Sequence, residues 1–316
     1  MGMNYRNRVH PDLLEMYDSA PEFEMNFPDF VRKLMEDEYE MTGLPVSEDI
    51  DVSERYIAGK NGKEDIYIRI YKPVGSKDIL PGFLWIHGGG YIAGLVKKDE
   101  GLCIRFVKDA KCVVVSVEYH LAPEYQYPVP LEDCYSALQW MHDNAEELNI
   151  DIDRIAVGGN SAGGGLTAGL SLLARDRGGP HIIFQMPLYP MIDDRCNSPS
   201  CIEIQDKKAW FGECNKLAWS LYLGDIDGEA VPAYAAPARA EDYTDLPATY
   251  TFIGDLDPFR DETIEYVARL SRAGVSVEFH LYPGCFHGFD VSSLRTEVGD
   301  RALSGFVDAL TRALNK

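Results

Sequence analysis

Three features that define specialised protein classes are missing from this 316-residue sequence. Its seven cysteines are odd in number, irregularly spaced and form no Cys-x-x-Cys pair, which argues against both a disulfide framework and a zinc site. No apolar run approaches the roughly 18 residues of a transmembrane helix. The first residues lead into no apolar segment, so a signal peptide is not expected. We therefore expect a cytoplasmic protein.

Basic residues are also scarce relative to acidic ones. Lys and Arg number 30 and Asp and Glu number 51, which gives a formal net charge of −21. A surface of this sign repels nucleic-acid phosphates and anionic lipid headgroups. We therefore expect neither a nucleic-acid partner nor a membrane partner. The hydrophobic share of 46% is typical of a globular protein with a sizeable core.

Short apolar segments alternate with helical segments along most of the chain. Residues 66–71 alternate in polarity after Asn61-Gly62, which predicts an antiparallel hairpin with residues 53–58. Buried strands separated by helices predict an α/β fold with a mostly parallel sheet covered on both faces. The further expected strands are 83–86, 112–117, 154–157, 182–186, 250–253 and 275–281. The expected helices are 131–147, 162–176, 261–273 and 299–314.

Two segments depart from this alternation. Residues 9–42 show helical, amphipathic spacing, which fits either a surface helix pair or part of a lid. Residues 190–240 are rich in aromatic residues and contain no clear strand. They lie between two core strands, on the side where ligands gather in such sheets, and we interpret them as a second part of a lid.

The strongest local motif is Gly159-Asn160-Ser161-Ala162-Gly163. It follows an expected strand and opens an expected helix, the context of a nucleophile elbow. The sharp turn lifts the serine hydroxyl above the sheet, and glycines two residues on either side permit the close backbone approach. The alternative is a glycine-rich turn that merely joins a strand to a helix. The context favours Ser161 as a nucleophile.

A second glycine-rich motif, His87-Gly88-Gly89-Gly90, ends the strand 83–86. Backbone N–H groups in such a loop can stabilise the oxyanion of an acyl-transfer intermediate. Ala162, directly after the nucleophile, is expected to supply a partner N–H. A phosphate-binding loop is the alternative, but no Walker or Gly-x-Gly-x-x-Gly pattern is present. We expect His87 to orient the loop and not to act as the base.

The base is sought after Ser161, because the chain order in this kind of site is serine, acid, histidine. Three histidines qualify, at positions 181, 280 and 287. The first two begin or lie within expected strands. His287 lies in residues 283–289, which we expect to form a loop that can reach the carboxyl edge of the sheet. His287 is therefore the candidate base.

The acid is sought between the serine and the histidine. Residues 254–262 offer three aspartates, of which Asp257 is the first choice and Asp255 the second, while Asp261 is expected within a helix. Asp257 also has a structural interpretation, because Asp followed by Pro is typical of a helix N-cap and first turn. Both roles can coexist. The carboxylate would fix the histidine tautomer and stabilise the imidazolium.

Taken together, these motifs resemble the hormone-sensitive-lipase family of α/β-hydrolases. The family's HGGG, GxSAG, DPLxDE and HGF motifs correspond to residues 87–90, 159–163, 257–262 and 287–289. Residues 119–124 match a further hallmark, YRLAPE, except that His120 replaces arginine. Asn160 likewise replaces a commoner acidic residue. The resemblance spans about residues 50–314 and is strongest with bacterial carboxylesterases of the heroin-esterase kind.

The resemblance implies an α/β-hydrolase fold with an eight-stranded sheet and a helical cap. It implies cap segments at 1–48 and 190–240 and core segments at 49–189 and 241–316. It assigns Ser161, Asp257 and His287 to the triad. It assigns the oxyanion N–H groups to Gly88, Gly89 and Ala162, with Gly90 as the alternative. Relatives are often dimers through the last strand, so a homodimer is an expectation.

The implied activity is hydrolysis of carboxylic esters through an acyl-enzyme, with a small-molecule ester as substrate. We expect short- to medium-chain esters, because no long apolar segment suggests a lid for a lipid interface. No cofactor and no metal are expected, because the triad supplies the nucleophile and the acid–base chemistry. Two alternatives remain open. The same triad serves amidases and lactonases, and some relatives are receptors that have lost the base.

Overall fold

The computed structural model describes residues 5–23, 29–33, 47–60, 65–291 and 295–315. Eight strands within these residues form one sheet in the order β1-β2-β4-β3-β5-β6-β7-β8. The strands are β1 (Ile50–Ala58), β2 (Asp65–Pro73), β3 (Leu80–Ile86), β4 (Val113–Glu118), β5 (Ile150–Asn160), β6 (Phe184–Leu188), β7 (Ala248–Leu256) and β8 (Val277–Phe286). The labelled helices are α1 (Leu14–Ser19), α2 (Glu100–Ala110), α3 (Val129–Asp143), α4 (Ala145–Leu148), α5 (Ala162–Arg177), α6 (Pro199–Glu203), α7 (Gly212–Leu223), α8 (Arg260–Arg272) and α9 (Glu297–Leu314).

The strand pairing confirms the expected mostly parallel eight-stranded sheet. Strand β2 runs antiparallel to both β1 and β4, and the other neighbouring pairs are parallel. The chain passes from β3 to β4 on one side and then to β5 on the other, so the direction of winding reverses at β3. Ile86 and Gly159 pair at the carboxyl ends of β3 and β5. This switch point is where open α/β sheets bind ligands.

Three details differ from the sequence expectations or lie beyond the described residues. The hairpin of β1 and β2 is present, whereas its expected turn at 61–62 lies outside the described residues. The helix expected at 131–147 is divided at Asn144 into α3 and α4. The interpretation of residues 283–286 as a loop is wrong, because β8 continues to Phe286.

The extension of β8 has a clear physical cause. Strand β8 is an edge of the sheet, where proline is tolerated because an outward-facing N–H is not needed. Gly284, at φ 72°, donates its N–H to Asp255 Oδ1 at 2.6 Å. The strand then pairs again with β7 at Leu256 and Phe286 after a register shift. A proline and a glycine therefore distort this strand without ending it.

The N-terminal segment and the 190–240 segment pack against each other. Residues 14–19 and 29–33 are helical, and the rest of the helical prediction between 24 and 42 lies outside the described residues. Within 190–240 the structure shows α6, α7 and two short 3-10 turns, but no strand. Lys208 Nζ donates to the carbonyl oxygens of Tyr17, Asp18 and Ala20 at 3.1–3.3 Å.

In the described part of the chain, no helix has the length and apolarity to cross a membrane.

Helix α5 crosses the middle of the sheet and is buried from Ala162 to Ala174. Its first turn approaches the end of β3 so closely that only glycine fits. A Cβ added at Gly163 would lie 2.1 Å from the carbonyl oxygen of Ile86 and 2.4 Å from that of His87. Backbone atoms cannot move aside as a flexible side chain can, so this contact restricts the sequence severely.

Replacing Gly163 with Ala should therefore lower the free energy of unfolding by about 3 kcal/mol or more, because the helix must shift away from the sheet. Gly305→Ala is the matched control in α9, where the nearest atom to the added Cβ is the Tyr250 hydroxyl at 3.0 Å. Urea denaturation followed by circular dichroism measures both. Equal stability of the two variants would contradict the packing argument.

Candidate active site

The expected nucleophile lies in a strained turn between β5 and α5. Ser161 has φ 55° and ψ −117°, a conformation that residues with a side chain rarely adopt. Its N–H donates to the carbonyl of Leu188 at 2.9 Å, and its own carbonyl accepts from the N–H of Met191 at 3.0 Å. A Cβ at Gly159 would lie 2.4 Å from the Ile86 carbonyl oxygen. The glycines of the motif are thus explained by backbone contacts on both sides of the serine.

Three side chains from distant parts of the chain meet above this turn. Ser161 Oγ lies 2.8 Å from His287 Nε2, and His287 Nδ1 lies 2.7 Å from Asp257 Oδ2. The serine is 8% exposed and the aspartate 1% exposed, so the hydrogen bonds are shielded from bulk water. Nδ1–H donating to the carboxylate leaves Nε2 free to accept the serine proton.

The three aspartates of the acid segment occupy different environments. Asp257 Oδ1 accepts from the N–H of Phe259 at 2.9 Å while Oδ2 faces the imidazole. Asp255 instead accepts from Gly284 and lies 3.6 Å from Arg8. Asp261 is within α8, as expected, and accepts from the N–H of Ser200. The structure thus places Asp257, and not Asp255, beside His287.

The helix-capping interpretation of Asp257-Pro258 is wrong. Helix α8 begins at Arg260, and Phe259 occupies the N-cap position. The carboxylate of Asp257 instead closes a tight turn two residues before the helix.

Aromatic rings surround the imidazole, and two of them, Tyr189 and Phe259, were not assigned to the site from the sequence. The rings of Tyr189 and Phe259 are nearly perpendicular to it, at 5.1 Å and 5.0 Å between centroids. The indole of Trp210 lies at 6.2 Å. The sequence offered one signal for each of these two residues. Tyr189 directly follows strand β6, and Phe259 stands where the family's acid motif has leucine.

The expected oxyanion loop lies against the nucleophile. A Cβ at Gly88 would lie 3.3 Å from Ser161 Cβ and 2.9 Å from the Asn160 carbonyl oxygen. Gly89 and Gly90 have φ of 120° and 62°. Ala162 is the first residue of α5, where a backbone N–H has no acceptor within the helix. Gly88 therefore packs directly against the nucleophile, and Ala162 follows the nucleophile in the chain.

His87 is buried and stabilises the glycine loop. Its Nδ1 donates to the Gly88 carbonyl at 2.8 Å, and its ring stacks on Tyr119 at 4.3 Å. The Tyr119 hydroxyl donates to the His87 carbonyl at 3.0 Å. Burial lowers the pKa of His87 to about 4, so the ring is neutral near pH 7. His87 thus braces the loop and does not contact the serine hydroxyl.

The aromatic residues of the 190–240 segment have different positions. Trp219 is buried against Tyr91, and Phe211 packs against Phe23. Trp210 lies over the glycine loop, because a Cβ at Gly90 would be 2.5 Å from its ring. Trp219 and Phe211 are thus part of the packed interior of this segment, whereas Trp210 borders the site.

Carboxyl groups close to the triad differ strongly in their surroundings. Glu262 is buried in α8, and burial raises its pKa well above the usual value although it accepts from the N–H of Ile192. Burial also raises the pKa of Asp290 to about 7.

Among the described residues, no three His, Cys, Asp or Glu side chains cluster as metal ligands.

The α/β-hydrolase-fold family matches residues 83–291 of this chain. The esterase LipI of Mycobacterium tuberculosis is 35% identical over 310 residues, which are 98% of this chain and 92% of LipI. The carboxylesterase NlhH of the same species is 36% identical over 270 residues, 84% of each chain. A solved structure of a bacterial heroin esterase superposes with a TM-score of 0.93 at 38% identity and covers 98% of both chains.

The match to the family extends over most of the chain, and the fold, strand order and motif positions agree with it. The protein therefore belongs to the α/β-hydrolase family, in the hormone-sensitive-lipase branch that contains carboxylesterases.

Proposed function

We propose that the protein is a serine carboxylesterase with Ser161 as nucleophile, His287 as base and Asp257 as the orienting acid. The observation that carries this proposal is the continuous hydrogen-bonded series from Ser161 Oγ through His287 to Asp257, at 2.8 Å and 2.7 Å. The names of the relatives, which are esterases and carboxylesterases, support the choice of an ester substrate.

In the first step, Ser161 Oγ attacks the ester carbonyl carbon while His287 Nε2 takes the hydroxyl proton. The intermediate collapses, the C–O bond to the alcohol breaks, and the alcohol leaves with the proton from Nε2. Water then attacks the acyl-enzyme with its proton passing to Nε2. The bond between the acyl carbon and Ser161 Oγ breaks, Oγ takes the proton back from Nε2, and the acid is released. Asp257 stabilises the imidazolium in both halves of the reaction. The chemistry requires neither a cofactor nor a metal.

The N–H groups of Gly88, Gly89 and Ala162 are proposed as oxyanion donors, with Gly90 as the alternative within the loop. Support comes from the position of this loop against Ser161 Cβ and from the free first-turn N–H of α5. Donors fixed in this way need no reorganisation as charge develops on the carbonyl oxygen.

Amide and lactone hydrolysis remain alternatives because the same triad serves them. A non-catalytic binding role is disfavoured by the presence of His287 at hydrogen-bonding distance from the serine. Hydrolysis rates on a panel of p-nitrophenyl esters, anilides and lactones distinguish an esterase from an amidase and from a lactonase. Labelling by a fluorophosphonate, lost in Ser161→Ala, separates a catalyst from a binding protein.

Replacing His287 with Ala should lower kcat by about 10³-fold or more, because the hydroxyl loses its proton acceptor. Asp257→Asn should cause a similarly large loss. Asp255→Asn is the matched control, since Asp255 contacts Gly284 and Arg8 instead of the imidazole. Steady-state hydrolysis of p-nitrophenyl acetate measures all three. A large loss confined to Asp255→Asn would overturn the acid assignment.

Short- to medium-chain esters are the proposed substrates, because the Trp210 ring closes the space beside Gly90 and His287. Trp210→Ala should shift the preferred acyl length upward in a p-nitrophenyl ester series, with a several-fold gain in kcat/KM for longer chains. Trp219→Phe, within the core of the same segment, is the control. An unchanged preference in Trp210→Ala would reject this role.

We further propose that residues 1–48 and 190–240 form a cap over the core segments 49–189 and 241–316. The contacts of Lys208 with residues 17–20 support this division. A cytoplasmic location and a homodimer through β8 are also proposals. The dimer is supported by the edge position of β8, where Leu281 is 43% exposed.

A further inference from the structure

Tyr189 occupies an unusual position beside the candidate nucleophile. Its φ is 33°, a left-handed value that is uncommon for a residue with a bulky side chain. Its neighbours in the chain hold the Ser161 backbone, through the carbonyl of Leu188 and the N–H of Met191. Strained residues of this kind persist where the surroundings fix them, and they are concentrated at functional sites.

The side chain of Tyr189 connects the base to a second carboxylate. Its ring meets the imidazole of His287 at 5.1 Å, nearly perpendicular. Its hydroxyl donates to Asp290 Oδ2 at 3.4 Å. Asp290 follows His287 by three residues in the same loop. Hydrogen bonds at catalytic sites are often long without substrate and shorten in the reacting complex.

The polar atoms around this contact are buried. Tyr189 is 2% exposed. Asp290 Oδ1 is buried and, within the described part of the chain, has no hydrogen-bond partner. A buried carboxyl group with so few donors is costly for stability. Packing alone would be served as well by Phe and Asn at these two positions.

We propose that Tyr189 and Asp290 are positioning residues for the reaction. Their hydrogen-bonded pair fixes the ring that supports the imidazole of His287 and joins the base loop to the backbone that carries Ser161. This inference rests on the proposed serine-hydrolase function. Neither residue reacts with the substrate; both act by holding His287 in the orientation that accepts the serine proton.

The pair should depend on pH in a defined direction. Burial raises the pKa of Asp290 to about 7, so the carboxylate is charged above that pH and neutral below it. A charged acceptor strengthens the bond from the tyrosine hydroxyl. Positioning should therefore improve as the pH rises through about 7. The titratable groups that interact electrostatically with Asp290 are Tyr189, His287, Asp99, Tyr250, Tyr282 and Cys285.

Tyr189→Phe and Asp290→Asn test the proposal. Each should lower kcat for p-nitrophenyl acetate roughly 10-fold with little change in KM, because a misplaced base slows proton transfer without altering binding. Tyr243→Phe is the matched control: its buried hydroxyl donates to the Pro237 carbonyl at 2.8 Å, away from the triad. Thermal unfolding of all three variants separates a loss of activity from a loss of stability.

The pH dependence supplies a measurement that a structural role would not alter. The ratio of kcat between wild type and Asp290→Asn should rise several-fold from pH 6 to pH 8, because only the wild type has a carboxyl group at position 290 that becomes charged over this range. A ratio that stays constant with pH, together with wild-type kcat in Tyr189→Phe, would overturn the proposal.

The rate of Ser161 labelling by a fluorophosphonate distinguishes this failure from failure of the proposed function. It reports activation of the serine whatever the substrate. Labelling of the wild type without ester hydrolysis would reject the esterase assignment alone, and slower labelling of Tyr189→Phe and Asp290→Asn would still support the positioning role. Absence of labelling in the wild type would reject both proposals.

Discussion

The close approach of the α5 amino terminus to the end of β3 is the constraint on which the rest of the site depends. The carbonyl oxygens of Ile86 and His87 lie where any side chain at Gly163 would project, and the Ile86 oxygen also excludes a side chain at Gly159. This contact brings the glycine loop that follows β3 beside the serine that follows β5. The glycine loop and the nucleophile are therefore both placed by one backbone contact, between the start of α5 and the end of β3.

The same arrangement explains the distribution of backbone strain. Ser161 and Tyr189 both have positive φ, at 55° and 33°, and they are joined through Leu188 and Met191. Each conformation costs of order 1–3 kcal/mol and persists only when surrounding contacts fix it. Here the contacts come from the buried sheet itself, since Leu188 ends β6 and Tyr189 donates its N–H to Phe252 in β7. The strain is thus supported by interior strands of the sheet.

Most of the fold and the three triad positions could be predicted from the sequence because the responsible signals are local. Apolar strand segments, glycines around Ser161 and the order of serine, acid and histidine all lie within short windows. The family resemblance supported the choice of Asp257 over Asp255. The end of β8 was misjudged because Pro283-Gly284 usually ends a strand, whereas an edge strand accommodates both. Tyr189 and Asp290 were missed because their contacts join separate loops, which no local pattern reveals.

The two carboxyl groups near the imidazole show how environment, and not residue type, separates their roles. Asp257 receives a backbone N–H from Phe259 in addition to the imidazole N–H, so its charge is well supplied with donors. The hydroxyl contact that Asp290 receives is long, and one of its oxygens is buried without a partner among the described residues. A carboxylate with good donors can balance an imidazolium, whereas one with poor donors takes up a proton near neutral pH. The chain thus holds one aspartate that contacts the imidazole of His287 directly and another, Asp290, that accepts from the hydroxyl of Tyr189 beside that imidazole and whose pKa is raised by burial.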